Sequence, residues 1–347
     1  MSLEQLSGKT VLVTGAGGLI GSRITSQLRR LGARPISVCR LDAYPPEVYR
    51  DRFGINTTEP DFIVGDIAGP ELMSEAISGC DYVIHAAALA DVAACTRRPL
   101  DAIDTNIIGT QRVLDAVAAS DQVQRMVFVS SASVYGNGNG TSPEPVHDHV
   151  PAQFTEGAAV SPVSVYGNSK VWGEYQTAAV LGGVGTSYAV VRYFSVYGEP
   201  QVVKENSHSW VVAWFAMRAA LGLPLHLNGG GHQIRDLVHV DDIATGTLYA
   251  LVAPRAHNET VNIGTGTGTS IWQVAELVRA HYPDTQLVET PMPPGDPEGG
   301  YASVERMEEL LGWRPTTSIE EGVARYVAWL RANPSAIPEW MPRAAAA

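Results

Sequence analysis

The sequence predicts an α/β protein, in which a doubly wound parallel sheet is followed by a smaller C-terminal α/β lobe. Segments rich in Val and Ile alternate with amphipathic segments over more than half of the 347 residues, as in repeated strand–helix units. The apolar runs are nearly continuous, which is typical of strands covered by helices on both faces. A glycine cluster at 15–21 separates the first apolar run from the first amphipathic segment.

The individual elements follow from these patterns. Residues 9–14, KTVLVT, form a short β-rich run that ends in glycines, and the amphipathic stretch 19–31 is closed by Gly32. Further strands are predicted at 36–40, 61–66, 81–88, 125–131 and 188–193, and further helices at 70–78, 99–120 and 163–180. Strands and helices in this order give a parallel sheet between two helical layers.

The pattern loosens after residue 193. Helices are predicted at 207–222, 271–281, 303–311 and 319–332, and loops rich in Gly and Pro at 136–145 and 291–300. We therefore expect a first domain of residues 1–193 plus roughly 236–264, a smaller substrate lobe of 194–235 and 265–333, and a tail at 334–347.

Composition excludes several classes of protein. The chain carries 36 acidic and 24 basic side chains, a formal net charge of −12, so we expect neither nucleic-acid nor membrane binding. The apolar run at 210–225 is interrupted by Arg218 and is too short to span a bilayer. The N-terminus lacks the pattern of a secretory signal, and three scattered cysteines form no disulfide framework. A cytoplasmic protein is expected.

No metal site is predicted. His147, Asp148 and His149 could be imagined as ligands, but they lie in a loop and no partner cluster follows them.

The segment TGAGGLIG at 14–21 lies between a predicted strand and a predicted helix. Closely spaced glycines at such a point let the backbone approach a pyrophosphate at the helix N-terminus. The alternative is a plain tight turn, but the context favours a dinucleotide site. Its candidate residues are Gly15, Gly18, Leu19, Ile20 and Gly21.

Three further residues predict acid–base chemistry. Tyr166 and Lys170 are four residues apart in a predicted helix, so they lie on one face of it. An ammonium beside a phenol favours the phenolate, although such pairs are also common on helix surfaces. Ser131 follows a predicted strand, at the carboxyl edge where open α/β sheets bind ligands, and its hydroxyl can bond a substrate oxygen.

Seven segments stand in a fixed order along nearly the whole chain. They are TGAGGLIG at 14–21, HAAA at 85–88, NIIGT at 106–110, SSASVYG at 130–136, YGNSK at 166–170, RYFSVYG at 192–198 and RDLVHVDD at 235–242. In this order they resemble the motifs of the extended short-chain dehydrogenase/reductases, particularly the NAD(P)-dependent nucleotide-sugar epimerases, dehydratases and reductases. The resemblance implies a Rossmann-type first domain and a nucleotide-sugar substrate.

The resemblance also implies roles for single residues. Tyr166 is the catalytic acid/base, Lys170 lowers its pKa and holds the nicotinamide ribose, and Ser131 orients the reacting oxygen. The remaining residues implied at the cofactor are Asp66, Ile67, Ala86 and Ala87, and those implied at the substrate are Ser133, Ser195 and Arg235. A homodimer joined through the helices around 100–119 and 164–180 is expected as well.

Arg235 and Glu174 each have two interpretations. Arg235 is similar to the arginine that grips the diphosphate of a sugar nucleotide, because its forked donors suit phosphate oxygens. It could instead form a salt bridge with Asp236 or Asp241. Glu174, one turn after Lys170, is equally compatible with a helix-surface partner and with a functional group.

Departures from the family pattern narrow the reaction. Ala132 and Ser133 stand where the dehydratases of the family carry an acid, so a dehydratase lacks the group that would protonate a leaving hydroxyl. Arg40 ends the second strand, where an acidic residue would bond the ribose of NAD, and an arginine accommodates the 2′-phosphate of NADP instead. The alternative is that Arg40 points to solvent and Asp42 takes the acidic role.

The substrate grip is also altered, because Ser195 replaces the usual asparagine and Pro293 a second diphosphate-binding arginine. We therefore expect an NADP(H)-dependent reductase of a nucleotide-linked keto-sugar. The alternative is an NAD-dependent nucleotide-sugar 4-epimerase with the same catalytic residues. A non-catalytic dinucleotide sensor or scaffold is the alternative of another class, against which the intact Ser131, Tyr166 and Lys170 argue.

Overall fold

The computed structural model describes residues 2–137, 152–205, 210–292 and 299–344. The strands in these residues are β1 (Thr10–Thr14), β2 (Arg34–Cys39), β3 (Phe62–Val64), β4 (Tyr82–His85), β5 (Arg125–Ser131), β6 (Ala152–Phe154), β7 (Ser187–Tyr193), β8 (Ser195–Tyr197), β9 (Leu225–Asn228), β10 (Ile234–Arg235), β11 (Leu237–His239), β12 (Glu259–Ile263), β13 (Thr269–Ser270), β14 (Leu287–Thr290) and β15 (Gly299–Ala302).

The helices are α1 (Leu19–Arg30), α2 (Pro46–Asp51), α3 (Leu72–Ile77), α4 (Val92–Arg97), α5 (Pro99–Ile103), α6 (Thr110–Ala118), α7 (Val165–Val184), α8 (Val211–Ala220), α9 (Val240–Val252), α10 (Ile271–His281), α11 (Glu305–Leu311), α12 (Ile319–Ala332) and α13 (Trp340–Ala344). No helix within the described ranges is long and apolar enough to cross a bilayer.

Seven parallel strands form the main sheet, in the order β12-β7-β5-β4-β1-β2-β3. The predicted Rossmann-type sheet is therefore confirmed. The edge strand β12 is an addition to the prediction, because its short run ETVNI carries too weak a pattern to stand out. The strand order reverses between β1 and β4, and open α/β sheets bind ligands in the crevice at such a point.

Successive residues of the strands serve opposite faces of the sheet. Val11 and Val13 pack in one cluster with α1 and α9, whereas Leu12 packs in another with α3, α6 and α7. Helices thus cover both faces, as the continuous apolar runs predicted. The continuous helix predicted at 99–120 is instead interrupted by a π-helical segment at Asp104–Gly109.

A separate apolar cluster, built from α8, α10 and α12 with β9, lies beyond the sheet and is called the second cluster below. The cluster that contains Val11 and Val13 is called the first cluster. The small β8–β11 pair connects the two parts, because Val238 belongs to the first cluster and Leu237 to the second. Helix α11 packs with the first cluster although it falls in the expected second lobe. The exact division into domains stays a prediction.

The segment from residue 334, which was expected to be a tail, is instead packed against the second cluster. Met341 and Ala336 are buried in the second cluster, and Trp340 stacks on Trp214 with their ring centroids 6.3 Å apart. The sequence predicted a tail because the segment is rich in Pro, but its apolar side chains are covered by the second cluster.

Candidate functional site

The glycine loop after β1 is shaped for close approach. Gly15 has a left-handed φ of +72°, and a Cβ there would lie 2.8 Å from the backbone of Ala87. Gly21, in the first turn of α1, packs directly against the Gly15 carbonyl and has no room for a side chain. Gly18 caps α1 without a side-chain hydrogen bond, so the amides of the first turn, including those of Leu19 and Ile20, have no acceptor within the helix. The cradle fits the pyrophosphate of a dinucleotide.

A buried hydrogen-bond chain holds β4 beside this loop. Thr14 Oγ1 lies 2.7 Å from Nδ1 of His85, whose Nε2 lies 2.9 Å from Oγ1 of Thr110. The Ala87 amide donates to Thr14 Oγ1 at 3.2 Å, which places Ala86 and Ala87 along the loop. Burial lowers the pKa of His85 to about 3, so its ring is neutral and purely structural.

Three charged side chains meet after the strands β2 and β3. Arg40 binds Asp66 through Nη1 and Asp42 through Nη2, each at 3.1 Å. The sequence analysis expected Arg40 either to bind a 2′-phosphate or to point to solvent. Neither expectation included the two carboxylates that bind Arg40 here. Asp66 also accepts from the Ala68 amide at 2.9 Å, and the neighbouring Ile67 is buried.

The three predicted catalytic residues converge at the carboxyl ends of the sheet. Helix α7 begins at a cap in which Ser164 Oγ accepts from the Gly167 amide at 3.0 Å. Its first turn lies against the turn after β5, which places the Tyr166 phenol in hydrogen-bonding range of Ser131. The Lys170 ammonium lies 5.7 Å from the centre of the Tyr166 ring and donates to the Val129 carbonyl at 2.8 Å.

The electrostatics of Tyr166 differ from the expectation. Burial raises the pKa of Tyr166 to about 12, and the hydrogen bond to Ser131 offsets only part of this rise. Burial also lowers the pKa of Lys170 to about 8, and the Glu174 carboxylate acts in the opposite direction. In this structure, desolvation outweighs the effect that the ammonium was expected to have, so Tyr166 rests as a neutral phenol.

The expected substrate residues lie in three different elements. Ser133 follows β5, and its amide donates to Ser131 Oγ at 3.1 Å. Ser195 is held in β8, where its amide donates to the Asp236 carbonyl at 2.9 Å. Arg235 lies partly buried in β10.

The acids proposed as alternative partners of Arg235 have other contacts. The Asp236 carboxylate accepts from the amides of Thr265, Gly266 and Ala302. Asp241 binds Arg325 at 2.6 Å and Arg23 at 3.0 Å. Neither observation assigns Arg235 to a substrate, and its role stays a prediction.

One cluster outside the crevice has the composition of a metal site. Glu199, His239 and Asp241 bring their ligand atoms within 4.8 Å of one another. Arg325 already bridges the two carboxylates, at 2.7 and 2.6 Å, so their charge is balanced by protein groups. His147, Asp148, His149 and Pro293 lie outside the described residues.

The environment of Glu174 was only partly predicted from the sequence. Glu174 is buried rather than on a helix surface, and it forms a two-bond ion pair with Arg192 of β7. The signal was present, because Glu174 shares a helix face with Tyr166 and Lys170 and no solvated face would be expected there. Its partner could not be chosen without the fold.

Comparisons with known proteins agree with the geometry. The profile of the NAD dependent epimerase/dehydratase family matches residues 11–264. UDP-glucose 4-epimerase from Yersinia pestis is 30% identical over 350 residues, covering 95% of this chain and 99% of that protein. The structure of UDP-glucose 4-epimerase from Thermotoga maritima with UDP-glucose has a TM-score of 0.82 at 32% identity, covering 94% of this chain and 99% of that one.

A second solved structure was determined with a cofactor. The UDP-glucose 4-epimerase from Thermus thermophilus in complex with NAD has a TM-score of 0.80 at 27% identity. The match covers 93% of this chain and 99% of that chain.

Proposed function

The chain belongs to the NAD-dependent epimerase/dehydratase family, and from this premise we propose that it is an NAD-dependent nucleotide-sugar 4-epimerase. The resemblance to the extended short-chain dehydrogenase/reductases is thereby confirmed, and the protein is an enzyme. The comparisons support the epimerase alternative better than the expected NADP(H)-dependent reductase. The cytoplasmic location expected from the sequence stays a prediction.

The observation that carries this proposal is the convergence of Ser131, Tyr166 and Lys170 beside the glycine cradle, at the carboxyl ends of one sheet. This arrangement supports a proton relay next to a dinucleotide. Arg40 supports NAD over NADP, because Asp42 and Asp66 already neutralise its charge and would repel a 2′-phosphate.

Each residue of the relay has a distinct role. When bound, NAD would supply a reversible hydride acceptor for C4 of the sugar, and Gly15, Gly18 and Gly21 would hold its pyrophosphate while Lys170 would hold its nicotinamide ribose. Tyr166 takes the proton of the 4-hydroxyl and later gives it back, so the net reaction is an inversion without net oxidation. Ser131 hydrogen-bonds the same oxygen. Burial keeps Tyr166 protonated at rest, and the hydrogen bond with Ser131 lowers its pKa in part. We propose that the positive charge of Lys170 adds to this lowering and favours ionisation of the phenol.

The substrate side of the proposal rests on the crevice. Arg235, Ser133 and Ser195 are the residues we propose for the diphosphate and the sugar. A guanidinium explains how a chain with a net charge of −12 holds a dianionic diphosphate. The relatives described above act on UDP-glucose by their names, which makes UDP-glucose the first substrate to try.

Turnover tests the proposal directly. Purified protein is incubated with UDP-glucose and then with other nucleotide-linked hexoses, and the 4-epimers are resolved by anion-exchange chromatography and proton NMR. Tyr166→Phe should lower kcat by about a hundredfold or more while the NAD content of the purified protein stays unchanged. Tyr82→Phe, at the amino end of β4, is the matched control, because its hydroxyl donates to Gln124 at 3.0 Å.

Two outcomes would contradict the proposal. Reduction of a keto-sugar by NADPH, without epimerisation, would instead support the hypothesis of an NADP(H)-dependent reductase. Tightly bound NAD without turnover of any nucleotide sugar would instead support a dinucleotide sensor.

A further inference from the structure

A buried ion pair lies behind the proposed catalytic residues. Arg192 donates from Nε to Glu174 Oε1 at 2.9 Å and from Nη2 to Oε2 at 2.6 Å, and both side chains are less than a tenth exposed. Burying two charges carries a desolvation cost that such a pair often only just recovers. Fold stability by itself is therefore a weak reason for this pair.

The contacts of the pair lead to the elements that carry the relay. Ser130, directly before Ser131 in β5, donates from its hydroxyl to Glu174 Oε1 at 2.5 Å. Arg192 Nη1 donates at 2.9 Å to the hydroxyl of Tyr135, in the turn that follows Ser131. The pair thus ties β5, the turn after it, α7 and β7 together.

Glu174 and Lys170 each form a hydrogen bond with β5. They are one turn apart on α7, and both are buried. Lys170 donates to the carbonyl of Val129, and Glu174 accepts from the hydroxyl of Ser130, which is the next residue of the strand. Two adjacent residues of β5 are therefore held by two adjacent turns of α7.

Other titratable groups around Lys170 are uncharged where Lys170 titrates. Burial lowers the pKa of His85, from β4, to about 3 and raises that of Cys95, from α4, to about 11. The pKa of Tyr166, on the same helix, is about 12 and that of Lys170 is about 8. Among these neighbours, the Glu174 carboxylate, which is paired with Arg192, is the charged group that favours the ammonium form of Lys170.

We propose that Glu174, fixed by Arg192, is a positioning residue that keeps Lys170 in its ammonium form and holds Ser131 in register with Tyr166. The inference deepens the proposed epimerase function, on which its activity readout rests. Its charge readout is independent of that function.

Isotope labelling can read the charge of Lys170 directly. The chain contains three lysines, Lys9, Lys170 and Lys204, so protein labelled with ε-¹³C-lysine gives three side-chain signals. Lys170→Met assigns the signal of interest, and its chemical shift is followed between pH 6 and about 10.5.

The two halves of the pair should move this titration in opposite directions. Glu174→Gln leaves the Arg192 charge unbalanced, so the midpoint of Lys170 should fall by about one pH unit. Arg192→Met leaves the carboxylate facing Lys170, so the midpoint should rise by a similar amount. The double variant should lie between the two single variants and below the parent, because it lacks the carboxylate that favours the ammonium. The alkaline limit of kcat should follow the same shifts.

A matched control separates positioning from lost stability. Arg125 is buried at the other end of β5 and donates to the carbonyl of Ala253, so Arg125→Met should lower Tm without moving the Lys170 midpoint. The Lys204 signal serves as an internal reference.

Shifts of Glu174→Gln and Arg192→Met in the same direction would overturn the inference, as would shifts no larger than that of Arg125→Met. Either single variant decides the question if the other does not fold. Absence of epimerase turnover in the parent would contradict the proposed function and leave the NMR result to judge this inference alone.

Discussion

Replacing Asp42 with asparagine should improve the binding of NADPH relative to NADH. Asp42 is one of two carboxylates that hold the Arg40 guanidinium, at 3.1 Å. The other, Asp66, also fixes the turn after β3 through the Ala68 amide, so changing it would disturb the backbone as well. Asp42 is therefore the cleaner site for the perturbation.

The size of the effect follows from exposure. The side chains of Arg40, Asp42 and Asp66 are 36%, 59% and 39% exposed, so water and salt screen their interactions. Half-exposed pairs contribute about 0.5 to 1 kcal/mol, and about 1.4 kcal/mol corresponds to a factor of ten. We expect the parent to show no preference for NADPH, and Asp42→Asn to shift the NADPH to NADH affinity ratio about two- to fivefold towards NADPH.

Nicotinamide fluorescence measures both affinities on cofactor-stripped protein at fixed salt. If the cofactor cannot be stripped, the NAD to NADP ratio released by denaturation replaces the titration. Asp51→Asn is the matched control, because Asp51 lies in α2, after the same strand, and pairs with Arg50 instead. A parent that binds NADPH about tenfold more tightly than NADH would refute the reasoning and restore the role first expected for Arg40.

Two further predictions address the cofactor cradle and the assembly. Gly15→Ala should weaken NAD binding about tenfold by calorimetry, because the Cβ would meet Ala87, whereas Gly8→Ala shares the left-handed φ, meets nothing within 4 Å and should leave binding unchanged. The expected homodimer would bury exposed apolar side chains such as Leu100 and Tyr175 on α5 and α7, so Leu100→Glu should yield monomers in sedimentation, and a monomeric parent would contradict the dimer.

Local sequence patterns were sufficient to predict much of the secondary structure. The strand β5 was predicted with its observed bounds, as were helices α10 and α12, because apolar runs and helical periodicity are properties of neighbouring residues. The edge strand β12 and the packing of α13 were missed, since their stability depends on partners far away in the chain.

Arg40 shows where residue-by-residue reasoning failed. A single arginine at the end of β2 indicated NADP, but its charge is shared with Asp66, which enters from the next strand. The electrostatic field at a site is a sum over groups that only the fold brings together.

By itself, the sequence determined the parallel sheet, and its motifs predicted the glycine cradle and the residues of the proposed relay. Tyr166 and Lys170 share a helix face by their spacing, and Ser131 ends a strand, so short-range geometry predicts where each residue lies on its own element. Only the tertiary structure decided their chemical state. Burial raises the pKa of Tyr166, lowers that of Lys170 and pairs Glu174 with Arg192 across two elements, because desolvation and charge depend on everything packed around a group, including residues distant in sequence.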